Sequence, residues 1–309
     1  MCKQHMIKIK GETQKIRLGT LNCGGFRLER EKRKLIFEMA TLHKIDILLL
    51  QETNLRSQDE KKTKMEWRKG PCIFSASHDD APFSGVAILC SSPETKILNP
   101  IFDSGGKMIT ADILIHGDIF HLINVHLPSS PTLVTFEPAI TELHALMQSP
   151  YPVILGGDFN FVENGAIDRC PPAPNDSRYY LNRPWGEFKD IYNLKDIAQN
   201  VRPVLFTREL DNVFSRIDRL YTVPGVSRSN IQVKSVGVSD HRLLFADFVL
   251  DEQKKRGPGH FKCNAKVHDR PDFLQEVENI TSSMMQLASY MENPKEWWQQ
   301  YKKKSGKYI

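Results

Sequence analysis

Asp158 and Asn160 stand two residues apart at the end of the apolar run VILGGDFNFV, residues 153–162. Side chains at alternate positions of an extended chain point the same way, so a carboxylate and a carboxamide face one site. Gly156 and Gly157 just before them lack Cβ atoms and let a backbone or a ligand come close at the strand end. Read alone, the segment is equally well a strand closed by an Asx-type turn. Other strand-like runs also end on polar groups: Asn22, Glu52 after DILLLQ, His126 after INV, and Asp240-His241 ahead of RLLFADF. Carboxylates and carboxamide oxygens suit Mg²⁺ or Mn²⁺, which bind phosphate substrates through one or two carboxylates while keeping several waters. Phosphodiester hydrolysis needs such a kit: a metal against phosphoryl charge, a carboxylate to orient or deprotonate water, and a cation on the phosphoryl oxygens.

The elements that must position these groups follow from the apolar spacing. Strands are expected at 16–22, 46–51, 84–91, 108–116 and 119–127, with a tight hairpin at Gly117-Asp118, and at 152–156 leading into GGDFN. Further strands are expected near 204–207, 216–222, 231–237 and 243–250. Residues 28–44 read as an amphipathic helix with Leu35, Ile36, Met39 and Leu42 on one face. Helices are also expected at 132–147 and near 184–194, and 163–183 reads as a long exposed loop. The mixture predicts an α/β class, a four-layer sandwich of two sheets packed face to face with helices outside. The expected organisation is a leader over 1–15, one domain over 16–250, and a linker with a partly helical tail over 251–309, begun by the charged, Gly-Pro-Gly-broken stretch DEQKKRGPGH.

Composition narrows the class without naming the function. With 40% hydrophobic and 26% charged residues the chain reads as an ordinary globular protein. No secretory signal and no apolar run of membrane-spanning length is present, so an intracellular protein without a membrane partner is expected. Six cysteines form no CxxC pair, which argues against a disulfide framework or a zinc site. The formal charge of +5 is concentrated in Lys/Arg clusters at 30–34, 61–69, 254–256 and 302–304. These permit contact with a polyanion without naming nucleic acid as the partner.

The ordered series TLNCGG, LLLQET, SGVAIL, INVHLP, GGDFN, SRIDRLY and SDHRLLFADF resembles the exonuclease–endonuclease–phosphatase superfamily over about residues 17–250. Within it the chain is most similar to the apurinic-type endonuclease domain at the front of LINE (non-LTR) retrotransposon polyproteins, on QETNL, GGDFNFV and SRIDRLY. GPGHFKCNAKVHDRPDF resembles the connector that follows such domains, and EWWQQYKKK the segment after it. The resemblance implies a Mg²⁺-dependent DNA endonuclease, Mn²⁺ being an alternative ion. It would leave a 3′-hydroxyl, act in the nucleus and be monomeric as this piece. A reverse transcriptase is expected downstream in a full-length element.

Residue by residue, the resemblance implies Glu52 as principal metal ligand, Asn22 helping to bind metal and phosphate, and Asp240 close to the metal. Asp158 would orient or activate the attacking water, assisted by Asn160, and His241 would contact the scissile phosphate with Asp218 holding its ring. Two departures alter the pattern. Gly24 stands where the apurinic branch has the Asp of Asn-x-Asp, and His126 stands where it has Tyr, an imidazole able to touch phosphate or protonate the leaving oxygen. Arg27, Arg178, Tyr179, Tyr180, Arg216 and Arg242 are the candidates for DNA contact, since Arg pairs bidentately with phosphate and Tyr can wedge or stack at bases. The rival readings are an abasic-site repair endonuclease, a phosphoinositide phosphatase or RNA deadenylase favoured by His126, and a non-catalytic nucleic-acid-binding remnant.

Overall fold

The computed structural model describes residues 15–76, 84–103, 105–129, 132–173, 181–250, 271–288, 297, 298 and 301. The chain divides into two compact units, 1–252 and 253–309. In the first unit the strands are β1 (Ile16–Asn22), β2 (Ile47–Gln51), β3 (Cys72–Ser75), β4 (Val86–Cys90), β5 (Lys96–Phe102), β6 (Met108–Ile115), β7 (Asp118–His126) and β8 (Val153–Asp158). They continue with β9 (Arg169–Cys170), β10 (Lys195–Asp196), β11 (Arg208–Leu210), β12 (Val213–Ser215), β13 (Asp218–Thr222), β14 (Val226–Ser235) and β15 (Arg242–Leu250). The helices are α1 (Arg30–Leu42), α2 (Glu60–Trp67), α3 (Leu133–Leu146) and α4 (Asn182–Tyr192).

Two mixed six-stranded sheets form the inner layers, ordered β14-β15-β1-β2-β4-β3 and β10-β13-β8-β7-β6-β5. β1 and β2 are parallel, as are β7 and β8, and the other pairs are antiparallel. Leu18, Leu49, Ile88 and Leu244 of the first sheet meet Ala111, Leu122, Ile154 and Leu220 of the second in one central core. A second core packs Phe136, Ile140 and Leu143 of α3 and Trp185 and Phe188 of α4 on the outer face of the second sheet. The third packs Ile36, Phe37 and Ala40 of α1 and Trp67 of α2 on the first. This is the expected four-layer α/β sandwich.

Some local expectations need correction. The buried face of α1 is Arg33, Ile36, Phe37 and Ala40, while Leu35 and Leu42 are exposed at 45% and 71%. A charge can sit on the inner face because the Arg33 guanidinium donates to the Phe26 and Arg27 carbonyls and to Glu66. The β6–β7 turn is His116-Gly117, both at positive φ, which is the two-residue hairpin geometry that favours glycine. Residues 204–207 are not a strand, and the pairing instead begins at Arg208. α2, β3 and β5, with no clean apolar period, were not expected. The 163–183 loop contains β9, which joins β12 and β11 in a small third sheet.

In the second unit, α5 (Pro271–Ala288) buries Phe273 and Met284. The Trp297 indole N–H donates to the Met284 carbonyl at 2.6 Å. Residues 1–14 of the leader, the connector over 251–270 and Arg178, Tyr179 and Tyr180 lie outside the described residues.

Candidate active site

Strand register brings the polar groups together. β8 lies between β7 and β13, with His126 paired to Asp158 on one side and Asp218 paired to Asp158 on the other. This close pairing requires Gly157, at φ +141°, because a Cβ there would stand 1.9 Å from the Val125 carbonyl oxygen. In the facing sheet Asn22 pairs with Gln51, the last residue of β2, which places Glu52 immediately beyond the strand end. Glu52 and Asn160 both have positive φ, 52° and 56°. Asn tolerates that region, but for Glu it costs roughly 1 kcal/mol or more, a strain typical of residues aimed at a site.

One side chain crosses between the two sheets to join the acids. The Asn22 amide nitrogen donates to Glu52 Oε1 and to Asp158 Oδ2, each at 2.9 Å, and its oxygen accepts the Gly24 N–H at 2.9 Å. Asn22 therefore holds the two carboxylates together in this structure. Nearby, Gln51 donates to Asn124 Oδ1 at 2.7 Å, and Asn124 donates to the Leu50 and Ala87 carbonyls. This buried amide network satisfies its own polar groups and fixes the sheets against each other beneath the site.

Two carboxylate–imidazole clusters result, Glu52/His126/Asp158 and Asp158/Asp218/His241. His126 Nε2 lies 3.3 Å from Glu52 Oε1, and Lys107 Nζ lies 3.4 Å from His126 Nδ1. His241 Nδ1 lies 2.9 Å from Asp218 Oδ2, and its Nε2 lies 3.9 Å from Asp158 Oδ2. The ring is held from behind: Ser239 Oγ accepts the His241 N–H and donates to the Asn22 carbonyl, while Thr207 Oγ1 accepts the Asp218 N–H. Asn160 donates its side-chain N–H to the Leu127 carbonyl and its main-chain N–H to Asp158 Oδ1.

The electrostatics follow from burial and partners. Burial alone would disfavour the Glu52 carboxylate, but the close approach of His126, the hydrogen bond from Asn22 and the nearby imidazole charges more than offset it, so its pKa falls below the ordinary 4.5. Burial would also neutralise His241, yet the Asp218 carboxylate, by charge and hydrogen bond, raises its pKa to about 9. His241 is thus an imidazolium at neutral pH. Lys107 is pulled below its ordinary 10.5 by burial, against the attraction of Glu52, Asp103 and Asp158.

The donor set fits a hard divalent cation. Asp158 is fully buried, Glu52 is half-buried, and neither is paired with an Arg guanidinium among the described residues. His126 Nε2, 2% exposed, has no hydrogen-bond geometry to any described protein atom although it points at Glu52. Glu52 and Asp158 are the residues that would hold the ion, with His126 beside them.

Other expected site residues have protein partners of their own. Arg216 is 5% exposed and its guanidinium is taken by Asp168, at 2.9 Å, and by Asp196, so it is a buried ion pair and not a DNA contact. Asp240 accepts from Arg208 Nε at 2.8 Å and joins neither cluster, because the adjoining β11 brings that guanidinium alongside. Arg27 is paired with Asp59 at 2.6 Å. Arg242 is paired with Glu209 and lies over Phe214, at the surface. Sequence reasoning missed Lys107, Ser239 and Thr207. Only Ser239, inside SDHR, had a signal there.

The Endonuclease/Exonuclease/phosphatase family model matches residues 19–241, which span Asn22, Glu52, His126, Asp158, Asp218 and His241. Among solved structures, a 3′ phosphatase from Neisseria bound to a product DNA hairpin is 18% identical with a TM-score of 0.62, covering 75% of this chain and 99% of that one. An AP endonuclease from Archaeoglobus fulgidus is 17% identical, with a TM-score of 0.60 and coverage of 75% and 98%. The endonuclease domain of TRAS1, a telomere-specific non-LTR retrotransposon, is 16% identical, with a TM-score of 0.56 and coverage of 77% and 100%. At these identities the likeness is one of fold. No curated protein sequence is significantly similar to the chain. No helix among the described residues is long and apolar enough to cross a membrane. The family match over most of the first unit, together with the sandwich and its strand-end acids, means that the chain belongs to the Endonuclease/Exonuclease/phosphatase family.

Proposed function

We propose that this chain is a divalent-metal-dependent DNA endonuclease that hydrolyses one strand to leave a 3′-hydroxyl, as in the nicking domain of a non-LTR retrotransposon. The observation that carries the reading is the convergence of Glu52 and Asp158 on Asn22, with the Asp218–His241 pair at Asp158's other side. A bound Mg²⁺ or Mn²⁺ would supply charge stabilisation at the phosphoryl group.

The chain's own residues divide the remaining work. Asp158, its Oδ1 anchored by the Asn160 N–H and its Oδ2 by Asn22, is placed to orient water or accept its proton. Asn160 fixes that corner by its bond to the Leu127 carbonyl. His241, kept charged by Asp218, offers Nε2 to a phosphoryl oxygen and meets the negative charge that builds there. His126 is the candidate donor to the leaving oxygen. DNA as substrate is supported by the Neisseria neighbour, which holds a DNA hairpin, and by the family's nuclease members. The retrotransposon context is supported by the TRAS1 likeness and by the sequence motifs over 257–273 and 296–304. Nuclear action follows from that context.

The test is nicking of supercoiled plasmid with Mg²⁺ and with chelator, followed by polymerase extension of the product. Wild type should nick only with metal, and the nicks should be extendable without end repair. Absence of metal-dependent nicking, or equal nicking by Glu52→Ala and Asp158→Ala, overturns the nuclease reading. A second substrate with one abasic site separates a repair-type preference from nicking of intact DNA.

A further inference from the structure

The basic clusters at 30–34 and 61–69 play no part in the site, yet the fold brings them together. α1 and α2 both start at the strand ends that carry Asn22 and Gln51 and run back along the outer face of the first sheet. Between them lies a cleft of about 760 Å³. Its walls carry Arg30 and Lys34 from α1, Lys61 and Lys62 from the first turn of α2, and Arg68 and Lys69 just past α2.

Charge and geometry together define what this cleft can hold. Six cations face two acids, Glu38 and Glu66, a formal +4 out of the +5 of the whole chain. Glu66 is already consumed by Arg33, with bonds of 2.8 and 3.1 Å. Glu38 is 3.9 Å from Lys34 with both side chains exposed, a pair of little strength. The floor is Phe37 and Trp67, whose rings meet edge to face at 5.0 Å. Trp67 is 2% exposed and its indole N–H is spent on the Cys90 carbonyl, so the floor offers no ring face for a base. What remains is a row of long cationic side chains, which suits backbone phosphates and carries no sequence readout.

Two of the residues lining the cleft, Arg30 and Gln58, lie at the far ends of the loops that begin at Asn22 and Glu52. Lys32 Nζ donates to the Gly24 carbonyl at 3.1 Å, and Arg27 is bonded to Asp59 at 2.6 Å, joining the loops that lead from Asn22 into α1 and from Glu52 into α2. The 13 residues of α1 extend about 20 Å, the axial rise of about six nucleotides of duplex.

We propose that the α1–α2 cleft is a second nucleic-acid contact, gripping the phosphates of the segment that flanks the scissile strand, independently of sequence. It rests on the reading of this chain as a nuclease.

The test compares the full wild-type chain with a Lys34→Gln/Lys61→Gln/Lys62→Gln variant, all three side chains being exposed. A second variant, Lys96→Gln/Arg228→Gln/Lys234→Gln, removes three exposed cations elsewhere on the surface. Binding is measured by fluorescence anisotropy in chelator on the shortest duplex the enzyme cleaves and on that duplex extended by about six base pairs on either side. The cleft variant should bind the extended duplex about 10-fold more weakly, with a salt slope smaller by about 2–3. Its cleavage of the shortest duplex and its melting temperature should match wild type, and the control variant should stay within about twofold of wild type throughout. Unchanged binding of the extended duplex by the cleft variant overturns the proposal, as does an equal loss on the shortest duplex or an equal loss in the control. Poly-glutamate displacing the extended duplex from wild type as well as unlabelled duplex does would assign the cleft to an acidic protein and overturn it too. Wild type that neither binds nor cleaves DNA sinks the nuclease reading itself, whereas wild type that cleaves beside an unaffected cleft variant sinks this proposal alone.

Discussion

Two groups of buried acids lie in the same sandwich, and they are treated in opposite ways. Asp168 and Asp196 share the Arg216 guanidinium, and Glu163 is bonded to Lys189 and Tyr221 with Arg219 alongside. Each of these acids has a full cation of the protein against it. Glu52 and Asp158 share the neutral Asn22 amide and have no Arg guanidinium against them among the described residues, their neighbours being the imidazole of His126 and the more distant imidazolium of His241. A buried charge left without its counter-charge is costly, so the first pattern is what a fold does to stay folded. The second leaves room for positive charge from outside, as the proposed metal-binding role requires.

Breaking each side of the comparison should give opposite phenotypes. The largest effect is expected for Glu52→Gln and Asp158→Asn. Either should lower metal-dependent nicking by about 10³-fold or more, with melting in chelator unchanged or raised because a buried charge is relieved. Nicking rates paired with calorimetry check both halves. Arg216→Met is the mirror image: leaving Asp168 and Asp196 uncompensated should cost about 3–5 kcal/mol of stability. Denaturant unfolding would show it, and a wild-type midpoint would mean that these acids are not held by Arg216.

The Glu163 cluster gives the pH dependence. Burial pushes the Glu163 pKa up, but Arg219, Lys189 and the bonds from Lys189 and Tyr221 bring it down to about 2 from an ordinary 4.5. The folded value lies below the unfolded one, so its contribution is complete above about pH 4.5 and disappears as pH falls toward 2. The interval corresponds to about 3 kcal/mol. Acid unfolding of Glu163→Gln should therefore be flatter than that of wild type over this range, and parallel curves would refute the assignment. The smallest effect is expected for Asp218→Asn, which keeps the ring in place but loses its counter-charge. A fall of about 10–100-fold in kcat, with KM little changed, is the expected split, whereas a pure KM effect would make Asp218 a substrate contact.

The sequence makes the site legible where chemistry sits at strand ends. Asn22, Glu52, His126, Asp158 and His241 each follow or precede an apolar run, and strand geometry alone aims them to one end of the sandwich. The outer layers are legible for the same reason, α3 presenting Phe136, Ile140 and Leu143 at helical spacing. Long-range pairing is not legible. Nothing local to SRIDR reveals that Asp168 and Asp196, 48 and 20 residues earlier, come back to neutralise Arg216, so a buried ion pair reads as a surface cation. The partner of Asp240 is equally invisible in the sequence, because Arg208 arrives from a short strand 32 residues away. Lys107 sits in a turn before β6 with no motif around it, and only the register of β6 with β7 brings it to His126. The α1–α2 cleft is the same lesson for surfaces: two ordinary-looking charge runs acquire meaning once a βαβ crossover sets them side by side.

The central claim is that Glu52 and Asp158, which have no Arg guanidinium against them among the described residues, are arranged to take a metal ion. Titration of the metal-free chain with Mn²⁺, following the free-ion signal by electron paramagnetic resonance, tests it without reference to activity. Wild type should remove Mn²⁺ from solution saturably and release it to Mg²⁺, and Glu52→Gln and Asp158→Asn should each abolish that uptake while Asp168→Asn leaves it intact. Mn²⁺ uptake that persists in Glu52→Gln and Asp158→Asn, or its absence in wild type, would contradict the account.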